Sequence, residues 1–202
     1  MNEKIKKYYE LFEKWNAKMN LMSISSEAEF VDKHVKDVEK LIPYLKEVKT
    51  LVDLGSGAGV PGILIKIMKP KVDVTLVEAT RKKVSFCEEV VRSLKLKEIL
   101  PIWGRAEDEG LMRGLGAFGA VVSRATWDLK KYLMIADRYA DGGGLCIAMK
   151  GSRWSEELRE AGEFIEKSDL DLIETSEYKL EGGEKRAILI FKKALLQPPE
   201  KE

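Results

Sequence analysis

Apolar residues recur at helical spacing along the first part of the chain. One face of the first segment is apolar while lysines occupy the other, and its apolar members are Ile5, Tyr8, Tyr9, Phe12, Trp15 and Met19. A second segment begins near Ser26, where Ser26 and Glu29 have the spacing of a capping box. Its apolar positions are Phe30, Val31, His34, Val35, Val38, Leu41, Ile42 and Leu45. The pattern predicts two N-terminal amphipathic helices.

From residue 49 onward, short apolar runs alternate with helical patterns. The predicted strands begin at Leu51 and continue at 72–78, 99–103, 118–125 and 142–151. One predicted helix follows Pro61, and the others cover 80–94, 129–139 and 155–167. Such alternation is typical of a parallel sheet with helices on both faces, in an α/β fold.

The end of the chain departs from this alternation. Two strands, 170–180 and 186–193, are separated by a segment that has room for a hairpin turn but not for a helix. We therefore expect a mostly parallel, Rossmann-like sheet with one antiparallel strand. The predicted organisation is an N-terminal helical extension (1–48), an α/β domain (49–194) and a flexible tail (195–202).

The segment LVDLGSGAGVPG at 51–62 predicts a cradle for a nucleotide-containing cofactor. A buried strand enters a turn in which Gly55, Gly57 and Gly59 allow the backbone to bend tightly and to approach a ligand closely. Pro61 suits the first turn of the helix that follows. A strand, a glycine turn and a helix N-terminus form the usual binding site for such a cofactor.

Two cofactor classes compete for this turn. Because Gly57, Gly59 and Gly62 have dinucleotide-binding spacing, an NAD-dependent oxidoreductase is one alternative. However, the carboxylate of Asp53 would repel a diphosphate, whereas it favours S-adenosylmethionine, which carries a sulfonium and an ammonium group. Glu78, at the end of the next strand, can accept hydrogen bonds from the ribose hydroxyls. Together with the closing hairpin, these acids favour a methyltransferase.

Composition excludes some classes of function and leaves others open. The 35 Lys and Arg residues nearly balance the 34 Asp and Glu residues, so net charge neither indicates nor excludes a nucleic-acid partner. His34 is the only histidine, which argues against a His-based metal site or a Ser-His-Asp triad. Cys87 and Cys146 lie in apolar patterns, which predicts free, buried thiols in a reducing cytoplasm. With no long apolar run and no signal peptide, we expect no membrane association.

Basic residues cluster where the strands should end. Arg124 and Lys150 close two predicted strands at the carboxyl edge of the sheet, where open α/β folds bind ligands. We expect Arg124 to contact cofactor and target, and Lys150 to bind the target. The alternative is that both are solvent-exposed residues at strand ends that bind no ligand. Lys130, Lys131, Arg153 and Arg186 are candidate RNA contacts near the same edge.

Several motifs together resemble one known family. The chain resembles the bacterial small-subunit ribosomal RNA guanine-N7 methyltransferases, once called glucose-inhibited division protein B. The motifs are KWNAKMNL at 14–21, DKHVKD at 32–37, DLGSGAGVPG at 53–62, SRA at 123–125 and KG at 150–151. The resemblance covers nearly the whole chain. It implies the class I S-adenosylmethionine-dependent methyltransferase fold with an N-terminal helical extension, acting on one guanosine of small-subunit (16S) ribosomal RNA.

The resemblance also assigns residues to the site. It implies that the cofactor pocket is lined by Gly55, Val60, Ala106, Glu107 and Arg124. It further implies that His34 and Asp37 face the cofactor or the target. The family usually has a larger residue where Val60 stands, which affects the shape of the pocket. The expected partner is ribosomal RNA or the small ribosomal subunit, and the expected state is a monomer.

Three alternatives remain open on the sequence. The protein could be a class I methyltransferase that acts on a small molecule or a protein, although basic groups at the sheet edge disfavour this. It could be the NAD-dependent oxidoreductase weighed above. It could also be a ribosomal RNA-binding assembly factor that holds the cofactor without rapid turnover.

Overall fold

A seven-stranded sheet organises the computed structural model, which describes residues 2–195; the rest of the predicted tail, 196–202, lies outside the described residues. The strand order is β3-β2-β1-β4-β5-β7-β6. The strands are β1 Thr50–Leu54, β2 Asp73–Glu78, β3 Ile99–Trp103, β4 Phe118–Arg124, β5 Ala140–Lys150, β6 Leu170–Lys179 and β7 Lys185–Lys193. The helices are α1 Glu3–Met19, α2 Glu27–Phe30, α3 Asp37–Glu39, α4 Gly62–Met68, α5 Arg81–Ser93, α6 Glu109–Leu115, α7 Leu129–Tyr139 and α8 Trp154–Glu166.

The direction of the strands confirms the predicted topology. Strands β1 to β5 are parallel, whereas β7 runs antiparallel to both of its neighbours, β5 and β6. The chain builds the sheet outward from β1 to β3 and then returns to place β4 on the other side of β1. This reversal opens a crevice at the carboxyl ends of β1 and β4, where doubly wound sheets bind their ligands.

The helices differ from the predictions in two places. The second N-terminal segment is helical from Glu27 to Glu39, but a π-helical stretch, Val31–Lys36, joins α2 to α3, and a 3-10 helix, Ile42–Leu45, follows. Helix α6 was not predicted, because glycines at 110 and 114 weaken its helical pattern. The side chain of Asp108 accepts a hydrogen bond from the Leu111 N–H at 2.7 Å, which stabilises the start of α6.

Most strand boundaries lie within two residues of the predicted ones. Strand β4 ends at Arg124 and not at Ala125, because the backbone of Ala125 turns to a φ of 55°. The strand that was predicted at 142–151 begins two residues earlier, at Ala140, and ends at Lys150.

The N-terminal helices pack on one face of the sheet and share its core. Aromatic rings of α1 and α2 contact one another and reach α5, where the rings of Tyr8 and Phe86 stack with centroids 6.1 Å apart. These residues belong to one buried cluster that also contains Leu51 and Val74 of the sheet. A second cluster, on the opposite face, joins the sheet to α6, α7 and α8. The N-terminal extension therefore shares one hydrophobic core with the sheet, and the division of the chain at residue 48 stays a prediction.

Candidate active site

The glycine turn follows β1 at the crevice, and the structural requirement for glycine differs among its three glycines. All three have positive φ: 69° for Gly55, 57° for Gly57 and 87° for Gly59. A Cβ on Gly55 would lie 2.5 Å from Thr126, and one on Gly59 would lie 2.3 Å from Ile63. A Cβ on Gly57 would meet no atom within 4 Å. Packing within the protein therefore requires the outer two glycines, whereas Gly57 faces open space that a ligand can enter.

Asp53 lies beneath this turn and is fully buried. Its Oδ2 accepts a hydrogen bond from the Gly62 N–H at 2.8 Å, and its Oδ1 has no hydrogen-bond partner among the described residues. Burial raises the pKa of Asp53 to about 7. The carboxyl group thus holds the start of α4 and stands behind the turn, where it does not line the cavity.

Glu78 ends β2 beside the turn, as predicted. Its Oε2 accepts a hydrogen bond from the Gly57 N–H at 2.9 Å, and its Oε1 accepts one from the Thr80 N–H at 2.7 Å. Each oxygen of a carboxylate can accept a second hydrogen bond. The side chain is therefore held firmly and can still bind two hydroxyl groups of a ligand.

Three adjoining cavities follow the carboxyl edge of the sheet. The outer cavity, of about 180 Å³, is lined in part by Ala106 and Glu107. The central cavity, of about 460 Å³, includes Gly57 and Val60 and shares Gly55, Glu78 and Thr126 with the outer one. The basic cavity, of about 400 Å³, shares Met22, Arg124 and Ala125 with the central one and is also lined by Lys33, His34, Asp37, Lys150 and Arg186. The predicted cofactor and target residues that line these cavities therefore follow one continuous trough, whereas Asp53 and Gly59 line none of the three.

Arg124 lies at the junction of the central and basic cavities. Its Nη1 donates to the Lys33 carbonyl oxygen at 2.9 Å and to Asp37 Oδ2 at 3.0 Å, and its Nη2 donates to His34 Nδ1 at 2.7 Å. A guanidinium group only donates, so His34 Nδ1 is the acceptor and Nε2 carries the proton. Burial, followed by the charge of Arg124, lowers the pKa of His34 to about 3, which keeps the imidazole neutral.

Lys150 and Arg186 present different charges to the basic cavity. Lys150 is 7% exposed, and its Nζ donates to the Trp127 carbonyl oxygen at 2.7 Å and to Glu157 Oε2 at 2.8 Å. Glu157 neutralises that charge, which leaves Lys150 one free N–H. Arg186 has no salt bridge to any residue between 2 and 195, so it brings net positive charge to the cavity.

The other predicted RNA contacts lie outside the cavity linings. Lys131 forms a salt bridge of 3.2 Å with Glu107, and Arg153 forms one of 3.0 Å with Glu156. Lys130 is exposed on the first turn of α7. Of these three cations, only Lys131 forms a salt bridge with a cavity-lining residue, Glu107 of the outer cavity.

The two cysteines are free and buried, as predicted. Burial raises the pKa of the Cys146 thiol to about 12 and also raises the pKa of Cys87, so neither is a thiolate near neutral pH. In the described part of the chain, no three His, Cys, Asp or Glu side chains are grouped as metal ligands. No helix between residues 2 and 195 has the length and apolar character needed to cross a membrane.

Sequence reasoning missed several residues that line the trough or support it. Met22, Ala125 and Thr126 each border two cavities, and Tyr178 of β6 donates a hydrogen bond to Asp37. No local pattern distinguishes Met22 or Tyr178, because tertiary packing alone brings them to the site. Thr126 could have been noticed as the residue that directly follows the SRA motif.

Comparison with solved structures agrees with this geometry. An O-methyltransferase from Bacillus cereus in complex with SAH superimposes with a TM-score of 0.66 at 13% identity, covering 96% of this chain and 92% of that one. The O-methyltransferase TomG from Streptomyces achromogenes, in complex with SAM, gives a TM-score of 0.66 at 14% identity, covering 96% and 91%. The strand order, the antiparallel β7 and the glycine turn define a class I methyltransferase fold.

Comparison of sequences identifies the family within this class. The GidB family, described as rRNA small subunit methyltransferase G, matches residues 1–188. A "Ribosomal RNA small subunit methyltransferase G" from Desulfotalea psychrophila is 33% identical over 192 residues, covering 94% of this chain and 88% of the relative. One from Syntrophus aciditrophicus is 38% identical over 192 residues, covering 93% and 80%. The chain belongs to the rRNA small subunit methyltransferase G family, which confirms the resemblance seen in its motifs.

Proposed function

We propose that this protein transfers a methyl group from S-adenosylmethionine to N7 of one guanosine in small-subunit (16S) ribosomal RNA. The observation that carries the proposal is the continuous trough, in which Arg124 joins a cavity built on the glycine turn to a cavity with basic walls. Its family relatives, named as methyltransferases of small-subunit ribosomal RNA, support the same substrate.

The central and outer cavities suit the cofactor. Gly57 leaves open space beside the turn, and Glu78 has acceptor positions available for two ribose hydroxyls. Ala106 and Glu107 border the outer cavity, where the adenine would lie. The pKa of the buried acid Asp53 is about 7. A bound sulfonium and ammonium group would favour its ionised form, which adds negative potential behind the turn. Val60 closes the central cavity next to the glycines.

The chemistry requires positioning and no general base. S-adenosylmethionine supplies an electrophilic methyl group bonded to a sulfonium. The lone pair of guanine N7 forms the new N–C bond while the C–S bond breaks, and no proton leaves N7. His34 suits such a site, since its Nδ1 is already occupied by Arg124 and its low pKa keeps it neutral. Correct alignment of two reactants can contribute roughly 7–11 kcal/mol.

The basic cavity suits the target nucleotide. Arg186 carries an unneutralised charge, which suits a phosphate of the RNA backbone. Lys150, neutralised by Glu157, offers a hydrogen bond from its remaining N–H, which suits guanine O6. The exposed Lys130, Lys131 and Arg153 would contact flanking phosphates. With the trough formed by one chain, we propose a monomer that acts in the cytoplasm on ribosomal RNA or on the subunit.

Labelled methyl transfer tests the proposal. Wild-type protein is incubated with labelled S-adenosylmethionine and small-subunit RNA or particles, and nucleoside digests are analysed for N7-methylguanosine. We expect one methylated guanosine, and we expect Arg124→Ala to lower kcat/KM by about 100-fold or more, since it removes a preorganised donor at the reacting centre. Arg113→Ala, near the C-terminus of α6, should leave the rate unchanged.

Each alternative predicts a different result in these measurements. Tight cofactor binding without methyl transfer to RNA or particles would favour the assembly factor. Transfer with normal rates by Arg124→Ala would remove the role of this residue. Calorimetric binding of a nicotinamide dinucleotide, with none of S-adenosylmethionine, would overturn the proposal altogether.

A further inference from the structure

Three elements that are distant in sequence meet at one buried carboxylate. Asp37, at the start of α3, is 1% exposed, and both of its oxygens are hydrogen bonded. Oδ2 accepts from Arg124 at the end of β4, at 3.0 Å, and Oδ1 accepts from the hydroxyl of Tyr178 on β6. A buried carboxylate with two charge-assisted or hydroxyl donors is held in one orientation.

The donors of Arg124 divide into two groups. The guanidinium has five N–H bonds. Three are directed inward, to the Lys33 carbonyl oxygen, to Asp37 and to His34. One Nη2–H and the Nε–H are left for a ligand, at a side chain that is 18% exposed and borders two cavities. The inward partners therefore determine where the two remaining donors lie.

We propose that Tyr178 is a positioning residue, which acts through Asp37 to hold the guanidinium of Arg124 at the junction of the two cavities. The proposal rests on the role of Arg124 in the proposed function. It gives His34 and Asp37 a different part from the predicted one. They orient Arg124 from its inner side and do not bind the target themselves.

The surroundings of Tyr178 support this role. Burial and the neighbouring Asp37 raise the pKa of Tyr178, so its hydroxyl remains a donor at neutral pH. The hairpin that follows β6 is fastened to the same N-terminal segment, since Asp32 accepts hydrogen bonds from the N–H groups of Glu181 at 2.9 Å and Gly182 at 3.1 Å. This clamp sets the position of β6 against α3, and hence the contact of Tyr178 with Asp37.

Removal of one hydroxyl group tests the proposal. Without it, Asp37 Oδ1 is buried with no partner, and the carboxylate can turn away from Arg124. We expect Tyr178→Phe to lower kcat for methyl transfer about 10-fold, while KM for RNA and Kd for S-adenosylmethionine change less than about twofold. In an Asp37→Asn background the same change should add almost nothing, since both act on one contact.

The matched control is Tyr44→Phe. Tyr44 is a partly buried tyrosine of the 3-10 helix that packs on the same core, and its hydroxyl makes no hydrogen bond within residues 2–195. It should keep the wild-type kcat. An unchanged kcat in Tyr178→Phe, or an equal loss in both variants, would overturn the proposal.

A second measurement separates this proposal from the proposed function. In ¹⁵N-arginine NMR spectra, we expect the Nη signals of Arg124 to show slow rotation in the wild type and to broaden or shift in Tyr178→Phe. Unaltered Arg124 signals in the variant would overturn the positioning role. Absence of methyl transfer by the wild type, with altered Arg124 signals in the variant, would instead overturn the RNA-methylating function.

Discussion

Individual glycines of the turn serve different purposes, either packing within the protein or space for a ligand. Gly55 and Gly59 are required because the protein itself fills the space beside them, whereas Gly57 opens into the central cavity. A side chain at Gly57 would incur backbone strain and would also occupy space next to Glu78. The strain and the loss of space can be measured separately, because Gly183 also has a positive φ but lies far from Glu78 in the sequence, in the β6–β7 hairpin.

We predict that Gly57→Ala raises Kd for S-adenosylmethionine at least about 10-fold and lowers the free energy of unfolding by about 1–2 kcal/mol, the cost of a left-handed alanine. The control is Gly183→Ala, whose φ of 86° is also positive and whose Cβ also meets nothing within 4 Å, but which lies in the β6–β7 hairpin. Calorimetric titration and urea unfolding measure the two quantities. Equal affinities in the two variants would show that Gly57 does not face the cofactor.

At the scale of elements, the N-terminal helices complete the trough, because the loop between them lines one side of the central cavity. The loop between α1 and α2 places Leu21 and Met22 in the central cavity. Asn16 holds this loop: its Oδ1 accepts from the N–H groups of Leu21 at 2.6 Å and Met22 at 3.0 Å, and its Nδ2 donates to the Met22 carbonyl oxygen at 2.9 Å. Helix α1 also contacts the glycine turn directly, because Tyr8 donates to the Ala58 carbonyl oxygen.

We predict that Asn16→Ala raises Kd for S-adenosylmethionine about 10-fold, because three hydrogen bonds that shape the cavity wall are lost together. Asn2→Ala is the matched control on the same helix. It removes the α1 N-cap, where Asn2 accepts from the Lys4 N–H at 2.8 Å, and should cost about 1 kcal/mol of stability with no change in affinity. A normal affinity in Asn16→Ala would mean that the loop wall does not contribute to binding.

For the molecule as a whole, the buried acid beneath the turn links stability to pH. Burial raises the pKa of Asp53 to about 7, whereas an aspartate in the unfolded chain titrates near 3.9. Between about pH 4 and pH 7 the folded state keeps a proton that the unfolded state has lost. The contribution of Asp53 to the free energy of unfolding is therefore largest below pH 4 and declines as the pH rises to about 7.

We predict that Asp53→Asn removes this decline, because asparagine stays neutral and its carbonyl oxygen can still accept from the Gly62 N–H. Urea unfolding from pH 4.5 to 7.5 measures the free energy of unfolding of both proteins. The difference, variant minus wild type, should increase by at most about 1.4 kcal/mol for each pH unit. Asp171→Asn, on the exposed side of β6, is the control and should follow the wild-type curve. Parallel curves for wild type and Asp53→Asn would contradict the prediction.

The alternation of apolar and polar positions was sufficient to predict the order and type of nearly all strands and helices, including the antiparallel β7. The short segment between 180 and 186 was decisive, since no crossover helix fits there. The helix that was missed, α6, depends on its cap at Asp108 and on burial of Met112, not on its own propensity. The π-helical stretch in the second N-terminal helix likewise left no mark in the apolar pattern.

The sequence by itself determined the glycine turn, the acid at the end of β2 and the basic residues that end β4 and β5, because such signals are local and follow directly from strand ends. Only the tertiary structure decided what those groups do with one another. It gave Lys150 a neutralising partner, turned Asp53 inward and joined Arg124 to Asp37 and Tyr178. Pairing of side chains across distant elements depends on how layers pack, and one-dimensional spacing does not encode that relation.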